Sequence, residues 1–387
     1  MNGKILITLI LFFLFASCSQ EAGDELKSIV ENEVISMDGS SISPAMVDLM
    51  EDNEILIFGE THYVQEHQDY LVGLLPELSA QGYKVIFQEL FNAFSWMVND
   101  YILGEVSEIP EFLLYFDATL IEGIKKFNTS VEDDDKIQLV YMDVNHWEDN
   151  FSRSIEAIKE ALGGSEIIDE LLALDVNANN YKPSLLSIHT SFQSQPENHI
   201  SELGEKWFLR IDQLIRNEIT SHDIRTNGSS QQREEFMRDI IVSHLESFSG
   251  DKILINTGMY HAQKNVFMGN NIIRLRQLLD NKSHEIESIA FVGIRGFTKS
   301  RFNETKKTPF DLVEKATGDD LIKIMDEYGS RHKALLPLNH NYFDNDIRIS
   351  YLNGTTITAP IGQQFDAIIT FPEISVLKSM DIYDWRR

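Results

Sequence analysis

Residues 54–62 read EILIFGETH. Four apolar residues in a row, Ile55 to Phe58, run into Gly59, Glu60 and His62. A short run that is apolar at every position, not at alternate ones, predicts a strand buried on both faces, as in a parallel sheet. Five more segments share this character: YKVIFQEL from Tyr83, KIQLVYMD from Lys136, KILINTGM from Lys252, IESIAFVGI from Ile286 and FDAIITFP from Phe365. Helical spacing lies between them. Tyr70, Leu71, Leu74, Leu75 and Leu78 mark a helix over 64–80, and Phe236, Ile240, Ile241 and Leu245 one over 231–248. The alternation predicts an α/β fold with a central, largely parallel sheet flanked by helices.

Two stretches break the alternation. Residues 163–230 carry helical patterns and no strand, and are expected to form a helical cap inserted over the sheet. Residues 298–364 are expected to hold one helix, at about 311–328, and then a hairpin in IRISYLNGTTITAP that turns at Asn353-Gly354. No internal repeat is legible. The α/β domain is expected over 41–387.

The chain opens MNGKILITLILFFLFASCSQ. Lys4 precedes an apolar run from Ile5 to Ala16, which is shorter than the roughly 20 residues that span a bilayer. It has the length of a secretion-signal core, and small residues lead to Cys18. The sequence resembles a bacterial lipobox, although Phe15 stands where an aliphatic residue is usual. The resemblance implies a signal peptide over 1–17, lipidation of Cys18 and a cell-envelope lipoprotein held on a membrane. SQEAGDE follows, and residues 18–40 read as a flexible tether. Cys18 is the sole cysteine, so its lipidation leaves no thiol for disulfides, thiolate metal sites or cysteine nucleophiles. A net charge of −28 over 387 residues disfavours nucleic acid and anionic lipid as partners without naming one; the expected partner is a small-molecule substrate.

The chemistry stands where the strands end. The first ends at Glu60 and His62, the second at Glu89, the third at Asp143, the fourth at Tyr260 and His261. Ligands of open parallel sheets sit beyond the carboxyl ends of the strands. One acidic strand end is a commonplace helix cap or salt bridge; four together predict a pocket. His67, His146 and His244 stand without such company and read as surface or supporting residues.

IFGETH (57–62), QEL (88–90), VYMD (140–143), REEFM (233–237), GMYH (258–261) and FDAIITFPE (365–373), in this order, resemble the erythromycin esterase superfamily, which takes in ChaN-type iron-regulated lipoproteins and is similar to Tiki/TraB-type proteins. The resemblance covers about 54–372. It implies a pocket of Glu60, His62, Glu89, Asp143, Arg233 and His261. One residue, not two, separates Glu60 from His62, and Gly258 stands where esterases tend to have a histidine. Both departures point away from macrolide esterase activity.

The leading expectation is a hydrolase of ester, lactone or amide bonds. His62 is its general base, oriented by Glu60 or Glu89, and Arg233 and His261 are donors to an oxyanion. Asp143 and Tyr260 are expected to help bind. Clustered carboxylates need compensation from Arg233, a protonated histidine or a cation. Hence the alternatives: a divalent metal on Glu60, His62, Glu89 and His261, as the Tiki branch implies for a metal-dependent peptidase, or haem or iron bound as the ChaN branch implies, with the Tyr260-His261 pair as axial ligand. A silent surface protein that binds a partner through the cap is the remaining reading. Substrate selection is expected in the cap and the Asn-rich loops.

Overall fold

The computed structural model describes residues 23–37, 42–247, 250–265, 271–280, 284–299, 306–329, 332–350 and 356–384. Cys18, the expected signal peptide and the hairpin turn at Asn353-Gly354 lie outside them. The described residues hold twelve strands, in chain order: β1 (Ile35–Ser36), β2 (Ile55–Glu60), β3 (Tyr83–Phe91), β4 (Gln138–Asp143), β5 (Lys252–Gly258), β6 (Ile286–Gly293), β7 (Arg295–Thr298), β8 (Thr308–Asp311), β9 (Ala334–Pro337), β10 (Asp346–Ser350), β11 (Thr356–Pro360) and β12 (Ala367–Phe371).

Eight of them form one sheet in the order β1-β9-β12-β6-β2-β5-β3-β4. From β12 to β4 every neighbouring pair is parallel, and these six strands are the six expected from their apolar runs. β9 joins antiparallel to β12, and β1 to β9. The chain winds outward from β2 to β3 and β4, returns to lay β5 between β2 and β3, and crosses to β6 on the other side of β2.

Side chains alternate between two cores. Leu56, Phe58, Ile86, Leu139, Tyr141, Leu254 and Phe291 point to one, with the helices Gln65–Ala80, Ser95–Ile102 and Glu111–Thr129. Ile55, Ile57, Phe87, Met142, Ile253 and Ile255 point to the other, with the helices Ser230–Ser247 and Leu321–Tyr328. Both faces are therefore covered, as a parallel sheet requires.

Two local expectations need correction. The flexible tether over 18–40 does not hold from residue 23: residues 23–33 are helical, Leu26 and Val30 sit one turn apart and are buried, and Ile35–Ser36 pair with β9. The helix at 311–328 is two, Leu312–Lys315 and Leu321–Tyr328; Asp320 caps the second by accepting from Ile322 N at 3.1 Å. Residues 163–230 do carry helices, namely Glu166–Leu172, Tyr181–Ser194, Pro196–Leu203 and Glu205–Asn227. They pack through Ile168, Leu185, Phe192 and Ile215 onto the first core. The expected hairpin is present as antiparallel β10 and β11.

Candidate active site

A cleft of ≈ 280 Å³ opens beyond the carboxyl ends of β2, β3 and β4. Glu60, His62, Glu89, Asp143 and Arg233 all line it. Its other lining residues include His146 after β4 and an apolar wall of Tyr63, Phe91, Phe116, Trp147 and Leu377. None of the lining residues comes from 163–230, so the helices expected to select substrate stand outside this cleft.

Glu60 is the last residue of β2 and is buried. Its Oε2 accepts from Asn256 Nδ2 at 3.1 Å, and the same nitrogen donates to Gln88 Oε1 at 2.7 Å. Oε1 lies 3.2 Å from Nδ1 of His62, whose side chain is 43 % exposed. Nε2 of His62 is 3.8 Å from Glu89 Oε1. Burial works against the imidazolium, but the Glu89 charge and then the bond and charge of Glu60 outweigh it and raise the His62 pKa above its ordinary value.

A carboxylate pair clamps Arg233. Nε donates to Asp143 Oδ1 at 2.8 Å, Nη2 donates to Asp143 Oδ2 at 2.6 Å, and Nη2 also bonds Glu89 Oε1. Glu89 accepts at Oε2 from Thr257 Oγ1 (2.7 Å) and Gly258 N (2.6 Å). Burial would push the Glu89 carboxyl up, but His261, His62 and Arg233 hold it well below the usual range. Asp143 is likewise opposed by burial and then brought down to about 2 by Arg233 and His146. His146 Nε2 sits 2.8 Å from Asp143 Oδ2, so this histidine, expected to stand apart, belongs to the site.

His261 lies behind the cleft and does not line it. Nδ1 is 2.8 Å from buried Glu234 Oε2 and Nε2 is 3.2 Å from Glu89 Oε1. Burial opposes its charge, yet Glu89 and Glu234 raise its pKa to about 10, so it is a cation at neutral pH. Glu234 is held in turn by Arg274 Nη1 at 2.9 Å and by Leu275 N at 2.9 Å. Tyr260, expected to bind, is 63 % exposed, packs near Arg274 and is not among the lining residues. It ends up outside because β5 stops at Gly258 and the chain turns before it.

Gly258 has a steric reason. A Cβ there would stand 2.8 Å from His62 Nε2, closer than packed atoms approach, and a tight 3.3 Å from Glu89 Oε2. The histidine that esterases tend to place at this position is thus incompatible with His62 as it sits here. Of His67 and His244, read as surface or supporting residues, His67 is inside and His244 is half-buried. His67 is buried against Phe371 at 4.7 Å, and burial lowers its pKa to about 3; His244 packs edge-on to Phe87.

Several contributors escaped sequence reasoning. Asn256 and Gln88 are polar residues inside buried strands, and that interruption is itself a usable signal. Asp117 is fully buried at a non-helical point of the helix Glu111–Thr129, accepts from Gln68 Nε2 at 2.6 Å, and has its carboxyl pushed well up by burial.

The donor set does not favour a metal. Both oxygens of Glu89 and both nitrogens of His261 are committed to protein partners, and among the described residues no group of three or more His, Cys, Asp and Glu is arranged to hold an ion. The same commitments leave His261 no free nitrogen for haem, and Tyr260 is not part of the cleft lining. Arg233 and His261 supply the compensating positive charge that the carboxylates need.

Comparison with solved structures gives the fold a relative. A mutant of erythromycin esterase EreC in its open conformation superposes with a TM-score of 0.63 over 87% of this chain and 95% of that one, at 15% identity. This is the erythromycin esterase fold. A Bacillus cereus protein (TM-score 0.70, 12% identity, 92% of this chain and 99% of that one) shares the erythromycin esterase fold. So does a succinoglycan biosynthesis protein (0.69, 13%, 91% and 97%). No family model matches the sequence, and no curated protein matches it.

Proposed function

We propose that this chain is a hydrolase that cleaves an ester, lactone or amide bond. The supporting observation is the Glu60–His62 pair: a buried carboxylate 3.2 Å from Nδ1 of an exposed imidazole that lines the cleft, with Nε2 3.8 Å from Glu89 Oε1. Similarity to an esterase in fold agrees with this reading. Glu60 keeps the proton on Nδ1, so Nε2 is the basic nitrogen. Water attacks the carbonyl carbon as Nε2 takes its proton. The carbon–oxygen or carbon–nitrogen bond to the leaving group then breaks, and the imidazolium returns that proton to the departing alkoxide or amine. Arg233 lines the cleft, and its guanidinium, aimed by Asp143 and Glu89, is the donor for the oxyanion. The test is a panel of chromogenic esters with the native protein and His62→Ala. Turnover by the native protein, lowered roughly 10²- to 10⁴-fold in the variant, supports the reading. No turnover of any ester, lactone or amide, or equal turnover by both proteins, overturns it. The lipobox-like sequence supports placing this hydrolase on the cell envelope through a lipid on Cys18.

A further inference from the structure

The cleft has a chemically distinct end that the hydrolytic step does not use. Phe91, Phe116 and Trp147 line it, and all three also line a smaller adjoining hollow, with Phe94 and Phe112. The rings of Phe116 and Trp147 lie within 28° of parallel with centroids 6.1 Å apart, and Phe91 meets Phe116 edge-on at 87° and Trp147 at 4.4 Å. Trp147 follows β4, whereas His62 follows β2, and β4 is the third neighbour of β2 in the sheet. At about 4.8 Å per strand the ends of β2 and β4 stand about 14 Å apart in the backbone, and the side chains of His62 and Glu89 reach across part of that span to 3.8 Å. The attack of water needs no such wall.

We infer that the substrate carries a flat aromatic group on one side of the scissile bond, seated against Trp147 and Phe91 while the carbonyl faces His62 and Arg233. The inference rests on the hydrolase reading and names its substrate class. Aromatic faces prefer a planar ring at offset-stacked or edge-on geometry over a saturated one, because the ring quadrupole adds to simple burial. The side of Phe91 is set by its place at the end of β3, and Phe116 is brought in by the helix Glu111–Thr129, so the wall is built on regular elements.

Methyl 2-naphthoate and methyl cyclohexanecarboxylate, titrated against His62→Ala by isothermal titration calorimetry, measure binding without turnover and without Trp147 as the reporter. The aryl ester is expected to bind at least tenfold more tightly. Trp147→Ala in the same background is expected to abolish that preference, and Trp147→Phe, which keeps a ring face, to restore most of it. Equal binding of the two esters, or a preference that survives Trp147→Ala, overturns the inference. Failure of the two readings is distinguishable. Tight naphthoate binding without hydrolysis by the native protein upholds the aromatic subsite and sinks the hydrolase. Hydrolysis of methyl acetate with no naphthoate preference does the reverse.

Discussion

Arg233 and Asp143 are joined by two parallel bonds, Nε to Oδ1 at 2.8 Å and Nη2 to Oδ2 at 2.6 Å. A fork that meets a carboxylate in this way fixes the guanidinium in plane and in rotation, which a single ammonium cannot do. Arg233→Lys should therefore keep the charge but lose the aim. Its kcat should fall roughly 10²- to 10³-fold, the loss seen on removing an oxyanion donor, with a smaller change in KM. Steady-state kinetics on any active ester checks this; a kcat within threefold of native removes Arg233 from the chemical step.

The pH profile follows from His62. The neutral imidazole is the active form, and Glu89 and Glu60 raise its pKa above 6.5 against the opposing effect of burial. Activity should thus rise with pH, with the midpoint of kcat/KM on the acid side above 6.5. Glu60→Gln removes one source of the shift and should move that midpoint down. A profile flat from pH 5 to 9 would exclude an imidazole base.

His261 ties stability to pH with the opposite sign. Its folded pKa, about 10, is above the unfolded 6.5, so its contribution is complete below pH 6.5 and is lost as pH climbs through 10. Thermal melts should fall across that window in the native protein and less so in His261→Gln. Equal slopes for the two would show that the cation contributes nothing to folding.

Gly258→Ala tests a close approach. The added methyl meets His62 Nε2 at 2.8 Å, and because His62 is exposed it can swing away without disturbing the core. The variant should fold with a melt near native and lose about 10²-fold in kcat, the effect of misplacing a catalytic group by about 1 Å. Unchanged kcat with a folded variant would show that His62 need not sit against Gly258.

Cys18→Ser should release the protein from the membrane fraction, because Cys18 is the proposed lipidation site. Fractionation with immunodetection reads this directly, and a variant that stays membrane-bound and unprocessed like the native chain refutes the anchor.

The legible part of the fold was the part with an unambiguous period. β2 to β6 and β12 are apolar at nearly every position because helices cover both faces, and no other element of that length reads so. β1 has two residues and β9 four, too short for any period to show, and the helix over 23–33 buries only Leu26 and Val30 beneath an acidic surface. In the site, Glu60, His62, Glu89, Asp143 and Arg233 were legible from strand ends and motifs, and all line the cleft. His146 was not, because its partner Asp143 is three residues away on a turn that carries no pattern. Nor were Phe116 and Trp147, since an aromatic that faces a cleft and one that faces a core look alike in sequence.

β5 lies between β2 and β3, which are consecutive in the chain yet never pair. Until residues 252–258 have been synthesised, the growing chain holds two apolar strands with nothing between them, each with an unsatisfied hydrogen-bonding edge. The half of the cleft carrying Glu60 and the half carrying Glu89 meet only when that slot is filled. Such long-range closure is slow, and open edges in the meantime invite pairing with other chains. A chain truncated after residue 247 should thus aggregate instead of forming a smaller folded unit.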